Sequence, residues 1–231
     1  MITSADNQKI KDIIKLKNKK YRILEHKFIV EGSHLVAEAR KCGVLLEAYS
    51  IDDLPNYTQI SEALMKKICN TDTVVKEFGV CKMLANGSLS NKLLILDGVQ
   101  DPGNIGALMR SAKAFGFDTI VLGEGCCDIY NDKAIRASQG AIFKLNFINA
   151  NLKEFIPTLL DYDVYGTNVV NGIELDNIKK PNKIAIVLGN EGNGISKEVN
   201  NILKRNIYIP MSFTESLNVS IAGSIIMYCL R

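Results

Sequence analysis

The tightest constraint on this chain is an alternation that runs through its C-terminal part. Apolar runs of three to five residues recur at Leu93–Leu96, Thr119–Leu122, Leu145–Ile148, Val164–Gly166, Ile184–Leu188 and Asn206–Ile209. Helix-length stretches separate most of them, at Ile105–Phe115, Lys133–Ile142, Leu152–Leu160 and Ser196–Leu203. Strands joined through helices lie parallel, and the helices then cover both faces of the sheet. The fold class expected is α/β with a mostly parallel sheet. The last stretch, Leu217–Leu230, is apolar nearly all round and broken only by Asn218, Ser220, Gly223 and Ser224. Such a helix is expected to be buried, in the core or against another subunit.

Ahead of this lies a smaller α/β pattern. Residues 7–17 read as a helix, Phe28–Val30 as a strand, Ser33–Cys42 as a helix and Leu45–Ile51 as a strand. A helix over Ser61–Cys69 and a strand over Gly79–Leu84 complete it. The polar, turn-rich run Asn86-Gly87-Ser88-Leu89-Ser90-Asn91 reads as a linker. The expected division is therefore 1–85, a linker at 86–92, and 93–231. A chain of 231 residues accommodates two such domains.

Composition excludes several classes. No uninterrupted apolar run approaches the roughly 18 residues a membrane span needs. The N-terminus is polar and then lysine-rich, without an apolar signal core, so a cytoplasmic address is expected. Six cysteines (Cys42, Cys69, Cys81, Cys126, Cys127 and Cys229) contain no CxxC pair, and the chain has only His26 and His34. Neither a metal centre nor a disulfide framework is expected from that spacing.

Charge is unevenly placed. Through Lys27, eight Lys/Arg stand against Asp6, Asp12 and Glu25, a net +5. The whole chain is +3, so the remainder is −2. A basic segment on a nearly neutral body suits a polyanion, and Lys15, Lys17, Lys19, Lys20 and Arg22 are the candidate phosphate contacts. A solvated helix face would show the same lysines.

Three loops follow strand ends, where open α/β sheets hold ligands. They are residues 96–104, leading into the Ile105–Phe115 helix; residues 188–194; and residues 209–218. Glycines in the first two let a backbone approach a ligand closely, which suits a nucleoside cofactor. Phosphate-cradle motifs fail on spacing: there is no GxxxxGK[ST], and Gly123-Glu124-Gly125 has Asp128 where a third glycine belongs. In the Ile105–Phe115 helix, Ile105, Leu108, Met109, Ala112 and Phe115 form one stripe. Arg110 falls roughly opposite, beside Ala107, Ser111 and Ala114, and would present a cation to a closely approaching surface.

The runs Asp97-Gly98-Val99-Gln100-Asp101-Pro102-Gly103-Asn104-Ile105-Gly106 with Arg110, Leu188-Gly189-Asn190-Glu191-Gly192-Asn193-Gly194, and Ile209-Pro210-Met211 with Ser216-Leu217-Asn218-Val219-Ser220 resemble, in order and separation, the three motifs of the SpoU (TrmH-like) RNA 2′-O-ribose methyltransferases. The resemblance covers about residues 91–231. Residues 1–85, with Phe28-Ile29-Val30-Glu31-Gly32, resemble less specifically the substrate-binding domain of ribosomal-RNA members. The resemblance implies a C-terminal trefoil knot, an exception to the usual rule. It also implies bound S-adenosylmethionine and a homodimer whose interface forms the active site. Carried over, Gly189, Ile209 and Leu217 contact the cofactor, and Asn104, Arg110, Glu191, Ser216 and Asn218 form the catalytic set.

Methyl transfer to a ribose hydroxyl requires the 2′-oxygen to be activated and aligned, and no histidine lies near these motifs. Arg110, protonated at any working pH, is expected to organise phosphate and oxyanion rather than act as a simple base. Asn104 and Asn218 suit positioning, and Glu191 would orient Arg110 or the RNA. Ribosomal RNA is the expected substrate. The alternatives are transfer RNA, a non-catalytic RNA-binding protein that retains the fold, and a dinucleotide enzyme disfavoured by the missing fingerprint.

Overall fold

A computed structural model describes residues 1–231 except 72–73, 170–171 and 214–215. The chain forms two compact units, one of Met1–Leu84 with Asp128–Phe143 and one of Ala85–Cys127 with Lys144–Arg231. The first unit opens with α1 (Gln8–Lys15), α2 (Lys19–Glu25), β1 (Lys27–Glu31), α3 (Ser33–Lys41), β2 (Leu45–Ser50), β3 (Thr58–Gln59), α4 (Glu62–Ile68) and β4 (Glu77–Lys82). The second takes β5 (Lys92–Leu96), α5 (Pro102–Phe115) and β6 (Thr119–Leu122). The chain returns to the first unit for α6 (Asp132–Ser138). It ends in the second with β7 (Asn146–Asn149), α7 (Leu152–Phe155), β8 (Asp163–Thr167), β9 (Ile173–Glu174), β10 (Ile184–Leu188), α8 (Lys197–Asn200), β11 (Asn206–Tyr208) and α9 (Val219–Cys229).

In the first unit the sheet order is β1-β4-β2-β3, with β4 antiparallel to both neighbours and β3 parallel to β2. Ile10 and Ile13 of α1, Leu64, Met65 and Ile68 of α4, and the stacked rings of Tyr49 and Phe78 fill one core. The helix expected over residues 7–17 forms as α1, and a second helix, α2, follows it. Asn7 caps α1, accepting from Lys9 N and Ile10 N, and α1 ends at Lys15. Asn18 then caps α2 by accepting from Lys20 N.

Arg22 corrects the sequence reading. Expected on RNA, it is 8% exposed and satisfies the end of the preceding helix. Its guanidinium donates to Leu16 O and Lys17 O at 2.9 and 2.8 Å and to the Asp128 carboxylate at 2.6 Å. A buried cation without partners would be costly; here both terminal nitrogens are paired, and only Nε has no hydrogen-bond partner among the described residues.

Asp128–Phe143, which the expected boundary assigns to the second domain, packs in the first. The Phe28 ring lies 4.7 Å from that of Tyr130 and 6.4 Å from that of Phe143. Arg136 pairs with Glu31 at 3.0 Å and Asp132 at 3.1 Å. The helix expected over Lys133–Ile142 breaks after Ser138, where Gln139 and Gly140 take left-handed backbone, and Ala141–Lys144 follow as a 3-10 turn.

The second unit holds the sheet β7-β6-β5-β10-β8-β11-β9, with every pairing among the described residues parallel. All five residues of β10 are buried, as a strand covered on both faces requires. Leu93, Ile95, Val121, Ala185 and Val187 form one core with Leu152 and Val199 of the covering helices. The helices expected over Leu152–Leu160 and Ser196–Leu203 are shorter. Pro157 lies in a 3-10 turn at Ile156–Thr158 after α7, and α8 spans only Lys197–Asn200.

On α5, Ile105, Leu108, Met109 and Ala112 are buried as the stripe requires, with Asp101 capping the N-terminus and Pro102 in the first turn. α9 lies directly on α5 and β10. A Cβ at Gly223 would stand 2.6 Å from both Leu108 Cδ2 and Leu188 Cδ1. Within the chain α9 buries one face: Ile226 and Met227 are buried, while Ile221 and Tyr228 are each 52% exposed.

Candidate active site

The three loops meet beyond the carboxyl ends of β5, β10 and β11. The second loop folds on itself through reciprocal hydrogen bonds of 2.9 Å between Asn190 and Gly194. Asn190 Oδ1 accepts from Gly192 N and Asn193 N, which turns its amide nitrogen toward Gly98 O at 2.8 Å and ties the loop to the first. Gly189 must be glycine: an added Cβ would lie 2.1 Å from the backbone of Gly194 and Ile195. Asp97 Oδ2, at the end of β5, accepts from Ser196 N at 2.7 Å and fixes the start of α8.

Glu191 joins the loops. Its Oε1 accepts from Asp101 N and Asn104 Nδ2, both at 3.0 Å, and its Oε2 from Gln100 N at 3.2 Å. A carboxylate only accepts, so the Asn104 amide must present NH₂ to Glu191 and its oxygen elsewhere. That oxygen receives Asn218 Nδ2 at 3.0 Å, and Asn218 Oδ1 then caps α9 by accepting from Ser220 N and Ile221 N. Burial pushes the Glu191 carboxyl up, but the bonds from Asn104 and the loop amides outweigh it and hold its pKa below the ordinary value.

Beside this chain lies a cavity of about 630 Å³, within the range of small-molecule sites. Gly189, Ile209, Leu217, Glu191, Ser216 and Asn218 all line it, bringing together six residues from two separate loops. Asn104 joins through its hydrogen bonds. Arg110 does not line the cavity; it is exposed on α5, with no hydrogen bond or ion pair among the described residues. Ser111, read as part of a small-residue face, is half-buried and its Oγ lies 2.7 Å from Ser224 Oγ of α9. Thr214 and Glu215 of the third loop lie outside the described residues.

The lining suits a nucleoside with a cationic sulfur. The backbone of 189–194 offers close approach, Leu188, Val219 and Ile226 supply apolar wall, and Glu191 is the only carboxylate among the described lining residues. Asn190 and Asp97, which hold the loops together, stand in the quoted motifs but have no role assigned to them from the sequence. Their signal, a short polar side chain directly after an apolar run, is common to many turns. Among the described residues no group of three or more His, Cys, Asp or Glu would hold a metal, and no helix is long and apolar enough to cross a membrane.

A parallel α/β sheet whose strand-end loops close on one cavity defines a ligand-binding domain of the open-sheet class. The chain belongs to the SpoU rRNA Methylase family, whose model matches residues 91–228. Residues 7–76 match a MRM3-like substrate binding domain. Among relatives, a 23S rRNA (guanosine(2553)-2′-O)-methyltransferase, RlmP of Bacillus subtilis (strain 168), is 37% identical over 100% of this chain and 98% of its own. A TrmH-family structure from Porphyromonas gingivalis is 30% identical with a TM-score of 0.86, covering 98% of each chain. An AdoMet-bound rRNA methyltransferase from Sinorhizobium meliloti, 24% identical, shares the fold with a TM-score of 0.88 over 100% of this chain and 96% of its own.

Proposed function

We propose that this protein is an S-adenosylmethionine-dependent methyltransferase acting on the ribose 2′-hydroxyl of ribosomal RNA. The observation that carries the reading is the directed chain Glu191–Asn104–Asn218 at the rim of a nucleoside-sized cavity. Full-length likeness to the Bacillus subtilis ribosomal-RNA enzyme supports the choice of substrate. Gly189, Ile209 and Leu217 hold the cofactor largely through backbone groups. S-adenosylmethionine supplies an electrophilic methyl on sulfur.

Glu191 fixes the two amides and the mouth of the first loop, so that Asn104 and Asn218 meet the ribose already oriented. Ser216, exposed at the cavity, offers a hydroxyl to the same sugar. Arg110 clamps the phosphate beside the target ribose and stabilises the developing alkoxide. The 2′-hydroxyl proton leaves to phosphate or water.

The unit carrying Lys15, Lys17, Lys19 and Lys20 binds the RNA backbone, without Arg22. The protein works in the cytoplasm as a homodimer with a C-terminal trefoil knot and no metal. Half-exposed Ile221 and Tyr228 on α9 and the fully exposed Phe213 support a subunit interface there.

The test is incubation with radiolabelled S-adenosylmethionine and ribosomal-RNA or transfer-RNA transcripts, with chelator present, followed by mapping of alkali-resistant positions. Label at a 2′-oxygen of ribosomal RNA is expected. Label only in transfer RNA would move the substrate, and RNA binding with no label in either would overturn the enzymatic reading. Light scattering at micromolar concentration should return twice 25.5 kDa, and an Ile221→Arg variant should return 25.5 kDa.

A further inference from the structure

The first unit carries a concavity of about 370 Å³ along β2 and β3, at the edge of its sheet. Lys9, Arg40, Leu45, Leu46, Asn56 and Thr58 line it, and only Glu47 brings a carboxylate among the described lining residues. That carboxylate is already satisfied: its Oε2 lies 2.9 Å from Lys9 Nζ and accepts from Tyr49 OH. Arg40 differs. It is exposed in the last turn of α3, its guanidinium carbon lies over the Tyr57 ring 5.1 Å from the centroid, and it has no ion-pair partner among the described residues. Tyr57 OH donates to Glu77 Oε2 at 2.9 Å, which holds the ring that orients the guanidinium.

Leu46 is 49% exposed and gives the concavity an apolar wall. Asn56, in left-handed backbone at φ 65°, and Thr58 supply short polar side chains at the same opening. A planar cation fixed on an aromatic, an apolar wall and a few amide and hydroxyl groups are what one unpaired nucleotide requires. The cation takes the phosphate, its plane and the leucine take the base, and the polar groups read the base edge. At 370 Å³ the space lies near the small end of ligand cavities, enough for a single nucleotide and too narrow for a duplex.

We propose that the concavity between Arg40, Leu46 and Thr58 binds one unpaired nucleotide of the RNA substrate and gives the first unit its selectivity. This rests on the RNA reading above, but it assigns recognition to a place other than the lysines of residues 15–20. Those lysines are exposed point charges that contact phosphate without regard to sequence. The concavity is the part of the unit with shape.

The experiment uses the full chain. Fluorescence anisotropy measures binding of labelled single-stranded hexaribonucleotides, the same sequences as duplex, and an oligoglutamate peptide. Arg40→Ala and Leu46→Asp, both at exposed positions, should keep the wild-type melting temperature. Each should weaken single-strand binding about tenfold, with S-adenosylmethionine affinity unchanged. Arg40→Lys should recover less than about half of that loss, because an ammonium cannot stack as a guanidinium does. Photocrosslinks from 4-thiouridine should map to residues 40–58.

Wild-type affinity in both variants, crosslinks confined to residues 15–25, or preference for duplex or oligoglutamate would overturn the proposal. Because the readout is binding, its failure is separable from that of the proposed activity. Methylation intact with unaffected variants sinks only the concavity. Absence of methylation with hexanucleotide binding lost in the variants sinks only the activity.

Discussion

Asn218 Nδ2 donates to Asn104 Oδ1 at 3.0 Å, joining the N-terminus of the last helix to the first turn of α5, 114 residues away. Neither amide could choose this orientation alone. Glu191 forces the Asn104 nitrogen outward, and the cap of α9 forces the Asn218 oxygen inward, so the pair meets donor to acceptor.

Glu191→Gln places an amide nitrogen where the carboxylate accepts from Gln100 N, Asp101 N and Asn104 Nδ2. At this exposed position the loss should be about 1 kcal/mol, with a far larger fall in methyl transfer because Asn104 is free to flip. The folded carboxyl titrates below its ordinary 4.5, so its contribution is complete above that value and disappears as pH falls through the lower folded value. Melting curves of wild type and variant should therefore differ at pH 7 and converge as the pH drops below 4.5. A pH-independent gap would contradict the assignment.

Arg110→Ala should abolish methylation while leaving S-adenosylmethionine affinity within about twofold, since Arg110 is exposed and does not line the cavity. Arg110→Lys should also fail, because a point charge does not reproduce a planar fork. Single-turnover assays with calorimetry check both, and an active Lys variant would refute the organising role.

Gly189→Ala should remove cofactor binding. The added Cβ meets backbone atoms at 2.1 Å, and backbone cannot swing aside as a side chain does. Overpacking of this kind costs about 1–3 kcal/mol, so the protein should stay folded at 25 °C with a lowered melting temperature. Unchanged cofactor affinity would mean that the cavity is not the cofactor site.

A chain beginning near residue 89 should not behave as an independent catalytic domain. It retains Asp128–Phe143 but lacks Phe28, Glu31 and Arg22, which pack against or pair with that segment. Tyr130, Ile135 and Phe143 would then face water, and the truncated protein should bind a hydrophobic dye and aggregate. Separately, reversing Lys15, Lys17, Lys19 and Lys20 in the full chain should weaken RNA binding and flatten its salt dependence. Filter binding across salt checks this, and an unchanged slope would leave the lysines as a solvated face.

The sequence by itself determined the α/β class, the parallel sheet and the three loops, because these follow from local periodicity and from where polar turns interrupt apolar runs. Gly189, Glu191 and Asn218 were marked through the resemblance of their runs to the family's motifs, not by any local pattern of their own. Tertiary structure alone decided three other things. Arg22 looked like its lysine neighbours, yet burial beside the end of α1 and Asp128 makes it a structural tie. The segment Asp128–Phe143 belongs with residues 1–84 because Phe28 and Glu31 meet it across roughly a hundred residues, beyond the reach of any local pattern. Asn190 and Asp97 became loop organisers only once β5 and β10 lay side by side. Periodicity is a property of neighbours in sequence, whereas the partner of a buried charge or an amide is chosen by the packing that brings distant residues together.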